Sequence, residues 1–374
     1  MKYYIIAGEA SGDLLGSYLM KAIKKQDTQA DFRCWGGDLM EQQGGDIIKH
    51  YKDLAFMGFW EVATNLRTIL NNIAVCKVDI LLYEPDVLIL IDYPGFNLRI
   101  AAFAKIQNIR VVYYVSPQIW AWKKNRVHKI IRDVDTMITI LPFEKDFYAK
   151  YNYEAHYVGH PLLDVINNER TKGDLRAFQV NYNLDDRPII AVLPGSRRQE
   201  LKKILPIMVK IIELFPEYQF VMSKVKWLPL SLYQSQIKNK KITLIEGDTY
   251  SMLQHAKAAI VTSGTATLET ALWNVPQVVC YRSSFISSLI AWIIVSKDVK
   301  YFSLVNLILN KPVVSELIQY ECNLKRLKKE FEKIIHDNTI IESIKNEYQH
   351  LYHILGDAGA SDNAAKLIVK NDIR

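Results

Sequence analysis

The 374-residue chain has no CxxC pair and no tight cluster of cysteine with histidine. Its cysteines, Cys34, Cys76, Cys280 and Cys322, are far apart. That spacing argues against a zinc site and a disulfide framework, and fits a reducing cytosol. The chain also lacks a GxGxxG fingerprint and a Walker A sequence, and no DxD pair stands in an obvious metal-binding turn. No cofactor and no required divalent metal are therefore expected. Long hydrophobic runs are missing too. The most apolar later stretch, Ser287 to Val295, lies between Arg282 and Lys297 and falls short of the ~20 residues a bilayer span needs. The opening Met1–Gly8 is too short for a signal peptide and reads as a first strand. Short-period repeats and low-complexity tracts are absent.

What is present is ordinary in bulk and specific in pattern. Hydrophobic residues make up 49% and charged residues 23%, which points to a folded chain. Lys and Arg number 47 against 40 Asp and Glu, a net charge of +7. This mild excess suits an anionic partner without choosing one. The length favours two domains.

Apolar runs alternate with amphipathic helical patterns. Strands are expected at Tyr3–Ala7, Val87–Ile91, Val111–Val115 and Thr136–Ile140, with a helix from about Leu14 to Lys25. The polar segment Val165–Arg187 then interrupts, with a helix near Leu175–Asn181. Strands resume at Pro188–Leu193, Tyr218–Ser223, Ile242–Glu246, Ala258–Thr262 and Gln277–Tyr281. Runs rich in β-branched residues, closed by Gly, Pro or Asp, mark parallel strands buried on both faces. The fold class is α/β, with two Rossmann-like doubly wound sheets expected to face across a cleft. The boundaries are 1–168 for the first domain and 169–355 for the second, with the tail from about 356 to 374 returning to the first.

Ligands of such sheets bind beyond the strand carboxyl ends, so the turns there carry the chemistry. The first turn is Ala7-Gly8-Glu9-Ala10-Ser11-Gly12-Asp13. Its glycines allow a tight turn and close ligand approach, and Ser11 or Asp13 can cap the next helix. Glu9, Ser11, Gly12 and Asp13 are candidates for holding sugar hydroxyls; a ligand-free capped turn is about equally supported. Asp92 follows Val87–Ile91 and can take a proton from an attacking hydroxyl, against the alternative of a turn-forming residue before Pro94. Trp120, Trp122 and the basic residues from Lys123 to Lys129 suit bases or lipid headgroups, or a solvated helix start. Gly195, Ser196 and Arg197 open a helix, where backbone N–H groups and arginine favour a diphosphate. Ser263, Gly264 and Thr265 do the same, and Glu269, one helical turn on, can accept from a ribose. Phe56, Met57, Phe59, Trp60 and Leu66 sit in a segment more apolar than one buried face requires. It reads as a membrane or acyl patch, or as a well-buried helix.

Taken together these motifs resemble the lipid-A-disaccharide synthases, nearly end to end. The matching pieces, in order, are AGEASGD at Ala7–Asp13, Met57-Gly58 with Glu61-Val62, Asp92-Tyr93-Pro94-Gly95-Phe96-Asn97, and Tyr114–Pro117 with Trp120-Ala121-Trp122. Leu141–Glu144, Val158–Pro161, Leu193–Arg197, Ser263–Glu269 with Tyr281-Arg282, and Tyr301–Asn306 follow. The resemblance implies a GT-B fold and an inverting transfer from UDP-2,3-diacylglucosamine to 2,3-diacylglucosamine 1-phosphate. The product is a β-1,6 disaccharide 1-phosphate. It makes Asp92 the leading base, gives Arg197 and Asn306 roles in activity as donor-binding residues, and sets Glu269 on the uridine ribose. It also implies a peripheral enzyme on the cytoplasmic face of the inner membrane, monomeric or homodimeric, with no nucleic-acid partner. Gly95 stands where the family commonly has a second acid, and Arg198 where small residues are frequent. The competing readings are a UDP-sugar 2-epimerase or another GT-B transferase, and a non-catalytic membrane- or RNA-binding protein.

Overall fold

The computed structural model describes residues 1–54, 66–121, 124–169, 173–238, 240–282 and 300–370. Among these the chain forms two compact units, one of residues 1–164 and 357–370, the other of residues 165–356.

The first unit is built on β1 (Lys2–Ala7), β2 (Asp31–Gly36), β3 (Asp46–His50), β4 (Val87–Ile91), β5 (Arg110–Tyr114), β6 (Thr136–Thr139) and β7 (Ala155–Tyr157). They form one parallel sheet in the order β3-β2-β1-β4-β5-β6-β7. Side chains alternate across it with the strand period of two. Tyr4, Ile6, Leu88 and Leu90 enter one core, while Tyr3, Ile5, Val87, Ile89 and Ile91 enter the other. Burial on both faces explains why these strands read as continuous apolar runs.

A buried polar network pins one flanking helix, Leu66–Tyr83. Asp79 on its inner face accepts from the Tyr4 hydroxyl at 2.7 Å and from the Arg33 guanidinium at 2.7 Å, and Trp35 Nε1 donates to the Tyr4 hydroxyl at 2.8 Å. The last helix, Ala360–Lys370, lies on the helix Ala10–Lys24, with Ala364, Ala365 and Ile368 in the same core as Leu15, Leu19 and Ile23. Asp164 caps its start by accepting from Gly359 N–H at 2.5 Å and Ser361 N–H at 2.9 Å.

The second unit has β8 (Ile189–Leu193), β9 (Gln219–Lys224), β10 (Ile242–Glu246), β11 (Ala256–Thr262), β12 (Gln277–Tyr281) and β13 (Ser315–Ile318). Their order is β10-β9-β8-β11-β12-β13, again parallel.

The long apolar strands stand where the sequence predicts them, within two residues at each end. β2, β3, β7 and β13 were not anticipated. β3, β7 and β13 lie at sheet margins, and their partly exposed, polar-containing stretches lack the apolar run. The first helix begins at Ala10 rather than Leu14.

Candidate active site

In each sheet the strand order reverses at one place, where sequence neighbours run outward to opposite sides. Ligands of open α/β sheets sit in the crevice that this reversal leaves beyond the carboxyl ends. In the first unit the reversal lies between β1 and β4. The turns leaving those strands carry Gly8-Glu9 and Asp92. In the second it lies between β8 and β11, whose following turns carry Gly195-Ser196-Arg197 and Ser263-Gly264-Thr265. Chain connectivity thus places four of the sequence motifs at the two positions where the fold binds ligands.

Asp92 is exposed and sits in the left-handed region, with φ of 44°. Tyr93 follows at φ 46°, and Val115, at the end of the neighbouring β5, has φ 65°. Non-glycine residues rarely adopt this conformation, and for a β-branched residue it is a genuine outlier. Such strain persists where the surroundings enforce it and gathers at functional sites. Pro94 then starts the helix Pro94–Ile106, its fixed φ suited to a first helical turn. The Tyr93 ring stacks on Phe96 at 5.6 Å, and a Cβ added to Gly8 would come within 2.4 Å of it. Gly8 therefore leaves room for Tyr93, where the sequence suggested room for a ligand.

The rest of the first turn divides. Glu9 is half-buried and is the N-cap residue of its helix with no side-chain cap bond, while Ser11 is exposed. Gly12 is buried, and a Cβ added there would meet the Ala7 side chain at 3.1 Å. Asp13 is a correction to the reading as a sugar contact. It is 2% exposed, and its carboxylate accepts from the N–H groups of Gly37, Leu39 and Met40 at 2.8–3.1 Å. It caps the short helix Asp38–Gln42 across the fold, not its own helix. Burial pushes its carboxyl up from the usual range, against the pull of those amides and His50.

In the second unit Gly195 has φ of 100°, a conformation that favours glycine. The Ser196 and Arg197 N–H groups both face Oε2 of Glu200 at 3.3 Å, and Arg197 Nη1 lies 3.3 Å from Oε1. The anion-seeking donors of this helix start are thus turned on a carboxylate of the same helix. The Trp227 indole N–H donates to the Ser196 carbonyl at 3.0 Å. At the other strand end Gly264 and Thr265 are exposed, and the Ser263 hydroxyl donates to the Phe302 carbonyl at 2.9 Å. Glu269 is half-buried and accepts from the Tyr250 hydroxyl at 2.8 Å. Its burial raises the carboxyl pKa, and the Tyr250 bond opposes that rise.

Asn306 requires a second correction. It is 1% exposed, and its amide is fully engaged inside the fold. Nδ2 donates to the Val314 carbonyl and Glu316 Oε1, while Oδ1 accepts from Val313 and Val314 N–H, all at 2.8–2.9 Å. Glu316 in turn accepts from the N–H groups of Phe302 and Ser303. Asn306 braces the loop against which Ser263 rests, and no amide valence is left for a direct contact.

Sequence reasoning missed Tyr250, Trp227 and Glu316, whose partners are distant in the chain. Phe56, Met57, Phe59, Trp60, Trp122 and Lys123 lie outside the described residues, as does the side chain of Leu66.

Residues 3–369 match the family model described as lipid-A-disaccharide synthetase. A lipid-A-disaccharide synthase from Syntrophus aciditrophicus is 40% identical, covering 98% of this chain and 98% of its own. One from Coxiella burnetii is 35% identical over 97% of this chain and 96% of its own. Among solved structures, the UDP-GlcNAc 2-epimerase from Neisseria meningitidis bound to UDP-GlcNAc superposes with a TM-score of 0.70 at 14% identity, covering 99% and 100% of the two chains. That likeness carries the two-Rossmann GT-B fold alone. The matched span and the identity to curated relatives carry more: the chain belongs to the lipid-A-disaccharide synthetase family.

Proposed function

We propose that this chain transfers 2,3-diacylglucosamine from UDP-2,3-diacylglucosamine to the 6-hydroxyl of 2,3-diacylglucosamine 1-phosphate. The observation that carries the reading is the position of the motif turns at the reversal points of both sheets. In the first unit Asp92 takes the proton of the acceptor hydroxyl as that oxygen attacks the anomeric carbon. The bond from that carbon to the UDP oxygen breaks on the opposite face, inverting the centre, and UDP leaves with the electron pair. In the second unit the helix starts at Arg197 and Thr265, with the Arg197 guanidinium, meet the diphosphate charge. For this the Glu200 carboxylate must release the Ser196 and Arg197 N–H groups. Glu269, oriented by Tyr250, accepts from the ribose. Asn306 acts through Glu316 by fixing the loop at Phe302–Ser303. Glu9 and Ser11 remain the acceptor contacts of the first turn.

A peripheral position on a membrane surface fits the helix Leu66–Tyr83. Its outer face carries Leu70, Val75, Val78, Leu81 and Leu82, all exposed, with Leu82 at 79%. An exposed face this rich in aliphatic side chains suits an interface with lipid. Among the described residues no helix is long and apolar enough to cross a membrane.

The test is UDP release from the purified protein in detergent micelles with EDTA, with and without the monosaccharide 1-phosphate. Acceptor-dependent release with a disaccharide product is expected, abolished by Asp92→Ala with UDP binding intact. Arg197→Ala should raise the donor KM by roughly tenfold, the loss of about 1.4 kcal/mol of binding. Release without a disaccharide, or epimerisation of UDP-N-acetylglucosamine, would point to the other enzymes of this fold.

A further inference from the structure

We propose that Tyr113 and Asn97 are positioning residues for Asp92, holding its peptide plane so that the carboxylate stays aimed out of the β4 turn; this rests on Asp92 as the base. The Asp92 carbonyl oxygen accepts two hydrogen bonds. One comes from the Tyr113 hydroxyl at 2.5 Å, the other from Asn97 Nδ2 at 2.8 Å. Asn97 Nδ2 also donates to the Ile91 carbonyl at 3.2 Å, tying the last strand residue to the same amide. Both side chains are fully buried.

The arrangement follows from the fold. Tyr113 pairs with Leu90 in the β4–β5 register and shares its core, two residues short of Asp92. Asn97 lies one turn into the helix that begins at Pro94, folded back over the strand end. The burden they carry is the pair of left-handed torsions at Asp92 and Tyr93. Turning the intervening peptide plane over would relieve Tyr93, since φ of the following residue changes with the flip. It would also part the carbonyl from both donors and leave the buried Tyr113 hydroxyl and Asn97 amide short of an acceptor, which is costly. The two bonds thus oppose the relaxation that the torsions favour, and they fix the direction in which the Asp92 Cα–Cβ bond leaves the turn. The Tyr113 hydroxyl remains a donor throughout the working range, because burial beside the Asp92 charge raises its pKa far above normal. Neither residue is placed to touch substrate; each works through the Asp92 main chain.

The experiment is steady-state kinetics on Tyr113→Phe and Asn97→Ser, with UDP binding and thermal unfolding measured on the same samples. Tyr153→Phe is the control, since it deletes a comparable hydroxyl-to-carbonyl bond, to Val134 at 2.8 Å in the same unit. A base displaced by a fraction of an ångström loses rate, not affinity. We expect kcat to fall about tenfold in each variant and roughly a hundredfold in the pair. Both KM values and the UDP Kd should stay within about twofold, and Tyr153→Phe should keep wild-type kcat. If one variant fails to fold, the other carries the test. Should Asp92→Asn be inactive while Tyr113→Phe and Asn97→Ser turn over normally, the positioning role is overturned and the base stands. Equal kcat losses in Tyr153→Phe, or losses matched by raised KM and weaker UDP binding, would reduce the pair to general stability and overturn it as well. Wild-type turnover in Asp92→Asn would remove the base, and the proposal with it.

Discussion

Single residues in the first turn show how closely its parts are fitted. Gly8 faces the Tyr93 ring, with 2.4 Å between a built Cβ and Cγ. Tyr93 also stacks on Phe96, and its hydroxyl lies 3.4 Å from the Leu54 carbonyl. A methyl group at Gly8 has no flexible end to push aside, only a ring whose backbone is already strained. Gly8→Ala should therefore cost about 1–3 kcal/mol of stability, typical of overpacking. It should also lower kcat more than either KM, because the displaced residue adjoins Asp92. Unchanged unfolding and kinetics would show that Tyr93 can move freely and that the turn is not rigid. Asp13 teaches the converse. An acidic residue in a strand-to-helix turn invites a ligand reading, yet its partners are three amides of another helix.

At the scale of elements, the helix Leu66–Tyr83 has two apolar faces and one explanation for only one of them. The inner face is settled by Ile73, Cys76 and Ile80 in the core and by Asp79 in the Tyr4–Arg33–Trp35 network. The outer face, from Leu70 to Leu82, carries exposed Asn71 and Ala74 beside its large hydrophobics, with Lys77 at its margin, and the two-residue substitution Val78→Asp with Leu82→Asp leaves the inner face alone. Each position is more than half exposed, so folding stability should change by less than about 1 kcal/mol. Sedimentation with vesicles containing anionic phospholipid should drop at least tenfold, whereas turnover of micellar substrate should change little. Undiminished sedimentation would remove this face from the proposed membrane contact. The membrane candidates named from the sequence are Phe56, Met57, Phe59, Trp60 and Leu66; the exposed hydrophobics from Val75 to Leu82 are a further candidate that the sequence does not single out.

Across the whole molecule, two buried titratable side chains of the first unit make stability depend on pH in opposite senses. His160 is buried, and desolvation lowers its pKa from 6.5 to about 3. Between those values only the unfolded chain binds the proton, so stability rises with pH through that window and is lost as pH falls. Glu144 is also buried, and desolvation raises its pKa from 4.5 to about 8, against hydrogen bonds from Leu141 N–H and the Trp120 indole. Here only the folded chain holds the proton, so stability is full below 4.5 and declines as pH rises toward 8. Between 6.5 and 8 Glu144 acts without His160. Over that interval its slope is at most about 1.4 kcal/mol per pH unit. Chemical denaturation between pH 6.5 and 8 should show wild-type stability falling with pH and Glu144→Gln nearly flat by comparison. Parallel slopes would mean that Glu144 is already ionised in the folded protein.

The division of labour between sequence and fold has a physical basis. Strands buried on both faces must be apolar throughout, so β1, β4, β5, β8, β11 and β12 were legible from composition and turn residues alone, and with them the two-domain α/β class. The marginal strands β3, β7 and β13 were not, because exposure relaxes the demand for apolar side chains; β10, also marginal, keeps an apolar Ile-Thr-Leu-Ile run and was legible, while β2, inside the sheet, opens on Asp-Phe-Arg and was not. The turns after the legible strands could be named from the chain, since glycine, proline and small polar residues are required where a strand gives way to a helix. Their roles could not all be read, because a side chain's partner is chosen by folding. Asp13 and Asn306 carry polar groups that suit a ligand, and the fold engages them with distant amides; Asp92 stays exposed because its strand ends at the sheet's reversal point. Sequence by itself therefore determined which residues stand at the strand ends. Only the tertiary structure decided which of those face outward, because burial of a polar group demands an internal partner and exposure does not.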